Sequence, residues 1–215
     1  MYGDNARLSD VAYDAIREEI LKNYVPGLPL SQREIADKLG ISKTPVREAL
    51  HELSQSGLVE LIPGKGYFIA RFSSKDVSDI FDVREALESK AAYLAARQML
   101  EEELAWLEAL FADINREKDG RAKLELMDRA NTELHGAIVR SARNRRLANI
   151  LDMMKDQLDC IARLTVRIAG RLEQSHQEHI HILEALKARN SESAEKAMRI
   201  HLESTKESVL RSLRY

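Results

Sequence analysis

Residues 31–53, SQREIADKLGISKTPVREALHEL, decide how the chain is read. Ser31 with Glu34 three positions on is a helix-start signal of the capping-box type. It opens a short helix over about Gln32–Leu39. Gly40 supplies the permissive backbone for leaving that helix, and Ile41 gives the turn an apolar anchor. A second helix starts at Ser42 or Thr44 with Pro45 in its first turn, where a missing N–H does no harm. Val46, Ala49, Leu50 and Leu53 form one apolar stripe, set to pack on Ile35, Ala36 and Leu39. Lys43, Thr44 and Arg47 are left outside, near the second helix's N-terminus. That is the layout of a helix-turn-helix whose second helix offers its first turns to a DNA major groove.

Outward from this stretch, Leu8, Val11, Ala12, Ala15, Ile16 and Ile20 predict a preceding helix from Leu8 to about Asn23. YVPGLPL ends it with two prolines and a glycine. Beyond Ser56-Gly57, LVELI (58–62) and YFIA (67–70) read as two strands around the tight turn Pro63-Gly64-Lys65-Gly66. A hairpin directly after a helix-turn-helix is a wing, and Lys65 at its tip sits between two glycines, free to approach a phosphate or a minor groove.

From Ser73 the texture changes. Ser73 with Asp76 is another helix start, and no proline follows. Helical periodicity runs through 75–99, 102–117, 121–141, 145–169, 172–189 and 192–213, interrupted only by Gly120, Gly136 and Gly170. The expected fold class is mainly α: a winged helix-turn-helix over residues 1–72, then an all-α bundle of six to seven helices over 73–215.

The 215 residues are 44% hydrophobic and 32% charged, ample for a core in each domain. No apolar run approaches the roughly 18 residues of a membrane span. MYGDNARLSD has no apolar segment behind a basic one, so no signal peptide is expected. Cys160 stands alone, which excludes an internal disulfide and suits a reducing cytoplasm; it reads as a small buried apolar residue. The net charge is −2, and residues 1–72 carry nine Lys/Arg against ten Asp/Glu. Grip on phosphates must therefore come from the placement of a few cations, not from a basic domain.

Residues 8–70 resemble the DNA-binding domain of the GntR family of bacterial transcription regulators, through LSQREIADKLGISKTPVREALHELSQSGLVE and the wing PGKGYFIA. The resemblance implies that Arg33, Lys43, Thr44 and Arg47 contact operator bases or phosphates and that Gly64, Lys65 and Gly66 approach the minor groove. Position 43 is often Arg in that family; Lys43 keeps the charge but loses the fork that reads a guanine. DVREALESKAAYLAA, NTELHGAIVRSARN and EHIHILEALKARNSESAEKAMRIHL resemble the FCD effector domain of the FadR-like branch. This implies a homodimer on double-stranded operator DNA and a divalent metal that helps bind a small organic acid. The metal positions transfer to Asn131, His135, His179 and His201.

The chemistry of those four positions agrees with that role. Asn131 and His135 are four apart, so they point from one side of one helix. Three imidazoles and one oxygen from three helices suit zinc, nickel or manganese, with positions left open for water or a carboxylate. Many relatives have Asp where this chain has Asn131; a neutral amide leaves the metal less tightly held and more electrophilic toward an anion. His176, three residues before His179, can face the same cavity. His181 lies about 200° around the helix from His179 and is expected in solvent, and His51 is expected at the surface. Arg84, with Glu88 four residues on, reads as a helix-surface ion pair or, by resemblance, as an effector-carboxylate ligand. Arg140 and Arg163 are weaker candidates of that kind, and Trp106 reads as packing.

The expected function is a transcription regulator, a repressor released from a palindromic operator by a small carboxylate. One alternative is a regulator in which the cation itself is the signal, against which the uncharged Asn131 argues. A helical metallohydrolase is the remote alternative; the chain has no HExxH, no adjacent His-Asp pair and no Glu in an evident general-base position, so no enzyme is expected.

Overall fold

A computed structural model of the chain describes residues 3–166 and 168–213. It divides into two compact units, one comprising the chain up to Phe72 together with Met153–Arg163, the other Ser73–Asp152 with the chain from Leu164 on.

In the first unit, α1 (Gly3–Lys22) is followed by β1 (Pro29–Leu30), α2 (Gln32–Leu39), α3 (Lys43–Gln55), β2 (Val59–Ile62) and β3 (Gly66–Ile69). Ser31 Oγ accepts the Glu34 N–H, and Gly40 ends α2 in the left-handed conformation at φ 67° while its own N–H returns to Ala36. Val46, Ala49, Leu50 and Leu53 are fully buried on the inner face of α3, beside Ala36. On α1, Ala12, Ile16 and Ile20 are buried, but Leu8 and Val11 are exposed, so the apolar face predicted there is narrower than its spacing suggested. The sheet order is β1-β3-β2, all antiparallel, with Ile62 opposite Gly66 across the wing turn. β1 falls in the stretch read as a plain turn. It is two residues long and begins with proline, which has no N–H to give and is tolerated at a strand's first residue or on an edge.

The second unit holds α4 (Ser74–Gln98), α5 (Glu101–Arg116), α6 (Gly120–Ser141), α7 (Arg145–Met153), α9 (Arg171–Lys187) and α10 (Ser191–Ser212). Ser73 and Asp76 form a complete capping box at the start of α4. Helices α4, α6, α9 and α10 pack against one another in a ring, and α5 lies against α6 and α9.

The segment 145–169 departs from its reading as one helix. It breaks at Met154 into α7 and α8 (Lys155–Val166), with neither glycine nor proline at the break. Most of α8 belongs to the first unit, although its sequence lies inside the span 73–215 assigned to the helical domain. There Cys160 and Ile161 are fully buried, and Arg17 of α1 donates to Asp156 Oδ1 and Asp159 Oδ2, each at 2.5 Å. Tyr13 adds an O–H bond to Asp156 Oδ2 at 2.8 Å. No described helix is long and apolar enough to cross a membrane.

Candidate functional site

Lys43, Thr44 and Arg47 lie exposed on the first turns of α3, whose opposite face is buried. Arg33 is exposed on α2, 3.8 Å from Asp37, too far and too solvated an ion pair to hold it in place. Gly64 and Lys65 are exposed at the wing tip and Gly66 is half-buried; both glycines have positive φ, 76° and 101°. The first unit therefore presents the cation-bearing first turns of α3 and a glycine-flanked lysine among its exposed cations, an arrangement compatible with a groove-reading head.

In the second unit, His135 of α6, His179 of α9 and His201 of α10 converge, with one ligand atom from each within 4.8 Å of the others. His179 and His201 are 2% exposed, and the His135 side chain 11%. The Nε2 atoms of His179 and His201 lie 3.2 Å apart, and His135 Nε2 is buried with no hydrogen-bond partner among the described residues. On the far side of two of these rings stand acids: Glu88 of α4 bonds His135 Nδ1, and Glu178 of α9 bonds His201 Nδ1 at 2.7 Å. Arg84 bonds Glu88, while Arg171, 1% exposed, forks onto both oxygens of Glu178 at 3.0 and 2.5 Å and reaches Thr205 at 2.7 Å.

Electrostatics favour neutral His179 and His201 rings and a charged Glu88. Burial, reinforced by the neighbouring histidines, holds His179 and His201 well below the usual imidazole range. Burial pushes the Glu88 carboxyl up, but Arg84 and His135 outweigh it and leave it far below the ordinary carboxylate value. Three imidazoles facing one point, one of them with an Nε2 that has no partner among the described residues, are a donor set that fits a divalent cation. Outer carboxylates on the Nδ1 side are the usual support for such ligands.

Comparison with known proteins settles the family. The profile of the bacterial regulatory proteins, gntR family, matches residues 8–69, and that of the FCD domain matches residues 79–204. The chain is a GntR-family regulator with an FCD domain. It is 32% identical over 193 residues to a protein of Paenarthrobacter nicotinovorans described as the probable D-xylose utilization operon transcriptional repressor, covering 88% of this chain and 83% of that one. It is 26% identical over 200 residues to the HTH-type transcriptional repressor RspR of Escherichia coli K12, covering 92% and 86%. Among solved structures, E. coli McbR/YncC superposes with a TM-score of 0.77 at 19% identity over all of both chains, a likeness of fold. Like its relatives, the chain is a DNA-binding transcription regulator and not an enzyme.

Within this GntR/FCD frame the remaining candidates separate. Asn131 is half-buried on α6, one turn before His135. His176 is buried, stacked on Phe111 at 5.5 Å, and its Nε2 lies 3.1 Å from Asn115 Oδ1. Phe111 in turn meets His179 edge-on, so His176 stands one ring away from the three-histidine cluster. Arg140 is exposed near the end of α6, and Arg163 is exposed on α8 in the other unit. His51 and His181 are exposed, as expected. The Arg84–Glu88 pair exists but is not a surface pair: the two side chains are 13% and 4% exposed, because α4 is packed by α6 on one side and α10 on another. Trp106, read as packing, is 41% exposed. Glu88, Glu178 and Arg171 were not singled out as site residues by sequence. The spacing of seven between Arg171 and Glu178, two helical turns, was the available signal.

Proposed function

We propose that the chain is a repressor that binds a palindromic operator as a homodimer and is released by a small carboxylate bound in the FCD domain through a divalent metal. The observation that carries the effector half is the meeting of the His135, His179 and His201 nitrogens in a buried site with an unmet acceptor on His135. His135, His179 and His201 would hold the cation, with the Asn131 side-chain oxygen as fourth donor. A divalent cation bound there supplies an electrophilic centre for an anionic ligand. Because the amide is neutral, none of the four donors cancels the cation's charge, which favours an acid as the effector. Arg140 and His176 are second-rank candidates for the acid's far end.

The DNA half rests on the exposed N-terminal turns of α3 and on the wing. Arg47, Lys43, Thr44 and Arg33 contact bases or phosphates, and Gly64-Lys65-Gly66 lies along the backbone or minor groove. Two copies on successive half-sites make affinity sensitive to their spacing, so a modest change between them loses much of it. Repression is supported by the repressor descriptions of both relatives.

The test is to select an operator from random duplexes with the full chain, then titrate that complex in a mobility-shift assay. The arms are zinc alone, a set of mono- and dicarboxylates alone, and both together. Release by an acid only when zinc is present supports the reading. Release by zinc alone makes the cation the signal, and indifference to every arm removes the effector half.

A further inference from the structure

Glu88, buried, and Glu178, part-buried, are acids that touch the histidine cluster from outside, and they share one construction. Arg84 Nε donates to Glu88 Oε1, and Glu88 Oε2 meets His135 Nδ1. Arg171 donates to both Glu178 oxygens, and Glu178 Oε2 meets His201 Nδ1 at 2.7 Å. A carboxylate only accepts, so the Nδ1 facing it must carry the hydrogen. In a neutral ring the lone pair is then on Nε2. Those are the atoms turned into the cluster, where His135 Nε2 lacks a partner among the described residues and His201 Nε2 faces His179.

We propose that Glu88 and Glu178 are positioning residues that fix His135 and His201 as Nδ1–H tautomers, each acid held by its own arginine, so that two Nε2 lone pairs are preset toward one cation. The idea rests on the metal-centre reading above, although its tautomer half holds without any cation. It gives Arg84 a role other than effector contact: its Nε is committed to Glu88 and acts on His135 through it. It also closes the local charge count. Each Arg–Glu ion pair sums to zero, and Asn131 carries no charge, so these groups leave the charge of a bound divalent cation uncompensated until an anion arrives.

The experiment uses the full chain, 15N-labelled and stripped of metal, with long-range 1H–15N spectra of the histidine rings reporting which nitrogen is protonated. His135 and His201 are expected as Nδ1–H. In Glu88→Ala and Glu178→Ala the corresponding ring should lose that preference, and cobalt(II), followed by its visible absorbance, should bind about 10–100-fold more weakly. Glu178→Gln keeps an oxygen to accept the Nδ1–H, so it should restore the tautomer and part of the cobalt affinity, which a merely space-filling role would not require. Should an alanine variant fail to fold, the wild-type spectrum and Glu178→Gln decide the matter. An Nε2–H tautomer at either ring of the wild type, or unchanged cobalt affinity in a folded alanine variant, overturns the proposal. Failure of the wild type to bind cobalt would instead overturn the metal-centre reading, while the ring spectra still judge the tautomers.

Discussion

The Nε2 atoms of His179 on α9 and His201 on α10 lie 3.2 Å apart in a site where both residues are 2% exposed. Only one hydrogen can sit between them, and His135 Nε2 nearby has no described partner. A buried acceptor left unpaired costs about 1–3 kcal/mol, and a cation bound by all three rings removes that cost. Zinc added to metal-stripped protein should therefore raise its melting temperature, by an amount equivalent to about 2.7 kcal/mol at a hundredfold excess over the dissociation constant. In His135→Ala the zinc shift should vanish, and the metal-free protein should itself lose about 1–3 kcal/mol, because Glu88 Oε2 is left without its partner. An undiminished zinc shift in that variant would remove His135 from the site.

Arg47 projects from the solvent face of α3, behind which Val46, Ala49 and Leu50 are fully buried. Its side chain can be cut back without disturbing the packing that holds the helix. Arg47→Ala should keep the wild-type melting temperature and lose specific operator affinity by about 1–3 kcal/mol, tenfold for each 1.4 kcal/mol, if the contact is a bidentate one to a guanine. If Arg47 touches phosphate alone, the loss should be equal on random DNA, with the salt slope reduced by about one. Unchanged binding in a mobility-shift assay would take α3 out of the mechanism.

How far sequence reached depended on whether the deciding signal was local. The helix-turn-helix was readable because its cap at Ser31, the Gly40 exit and the Val46–Leu53 stripe are set within a few residues. β1 was not, because two residues after a proline have no period, and their strand character comes from pairing with Tyr67 and Phe68. The break at Met154 left no glycine or proline, and α8 joins the first unit through partners more than 130 positions away, such as Arg17. The three histidines were found by resemblance and donor chemistry. Glu88 and Glu178 were passed over because a charged residue one or two turns from an arginine looks the same on a solvated face as in a buried one; only tertiary packing tells them apart.

Cys160 is fully buried on α8, and burial, with Asp159 and Asp156 nearby, pushes its thiol up to about 12. Native protein at pH 8 should therefore react with a disulfide reagent far more slowly than protein unfolded in guanidinium, with the rate rising in step with unfolding. Fast, stoichiometric labelling of the native chain would show that α8 leaves its seat readily.

That seat also predicts an alkaline limit. Tyr13 gives its O–H to Asp156 Oδ2, which Arg17 holds from the other side. Burial, the hydrogen bond to Asp156 and that acid's charge push the phenol from its ordinary value near 10 up to about 12. A group whose protonated form is favoured by folding contributes stability that is fully present below the unfolded value and lost as pH rises through the folded one. The melting temperature should accordingly fall between about pH 10 and pH 12. Tyr13→Phe should lower stability at pH 7 by about 1.5–3 kcal/mol, the net worth of a hydrogen bond to a charged group, yet decline less steeply over that alkaline window. Cys160 and Tyr24, both raised by burial, keep the slope from disappearing altogether. Circular-dichroism melts of the two proteins from pH 7 to pH 12 make the comparison, and identical slopes would mean that Tyr13 does not carry its proton into the α1–α8 contact.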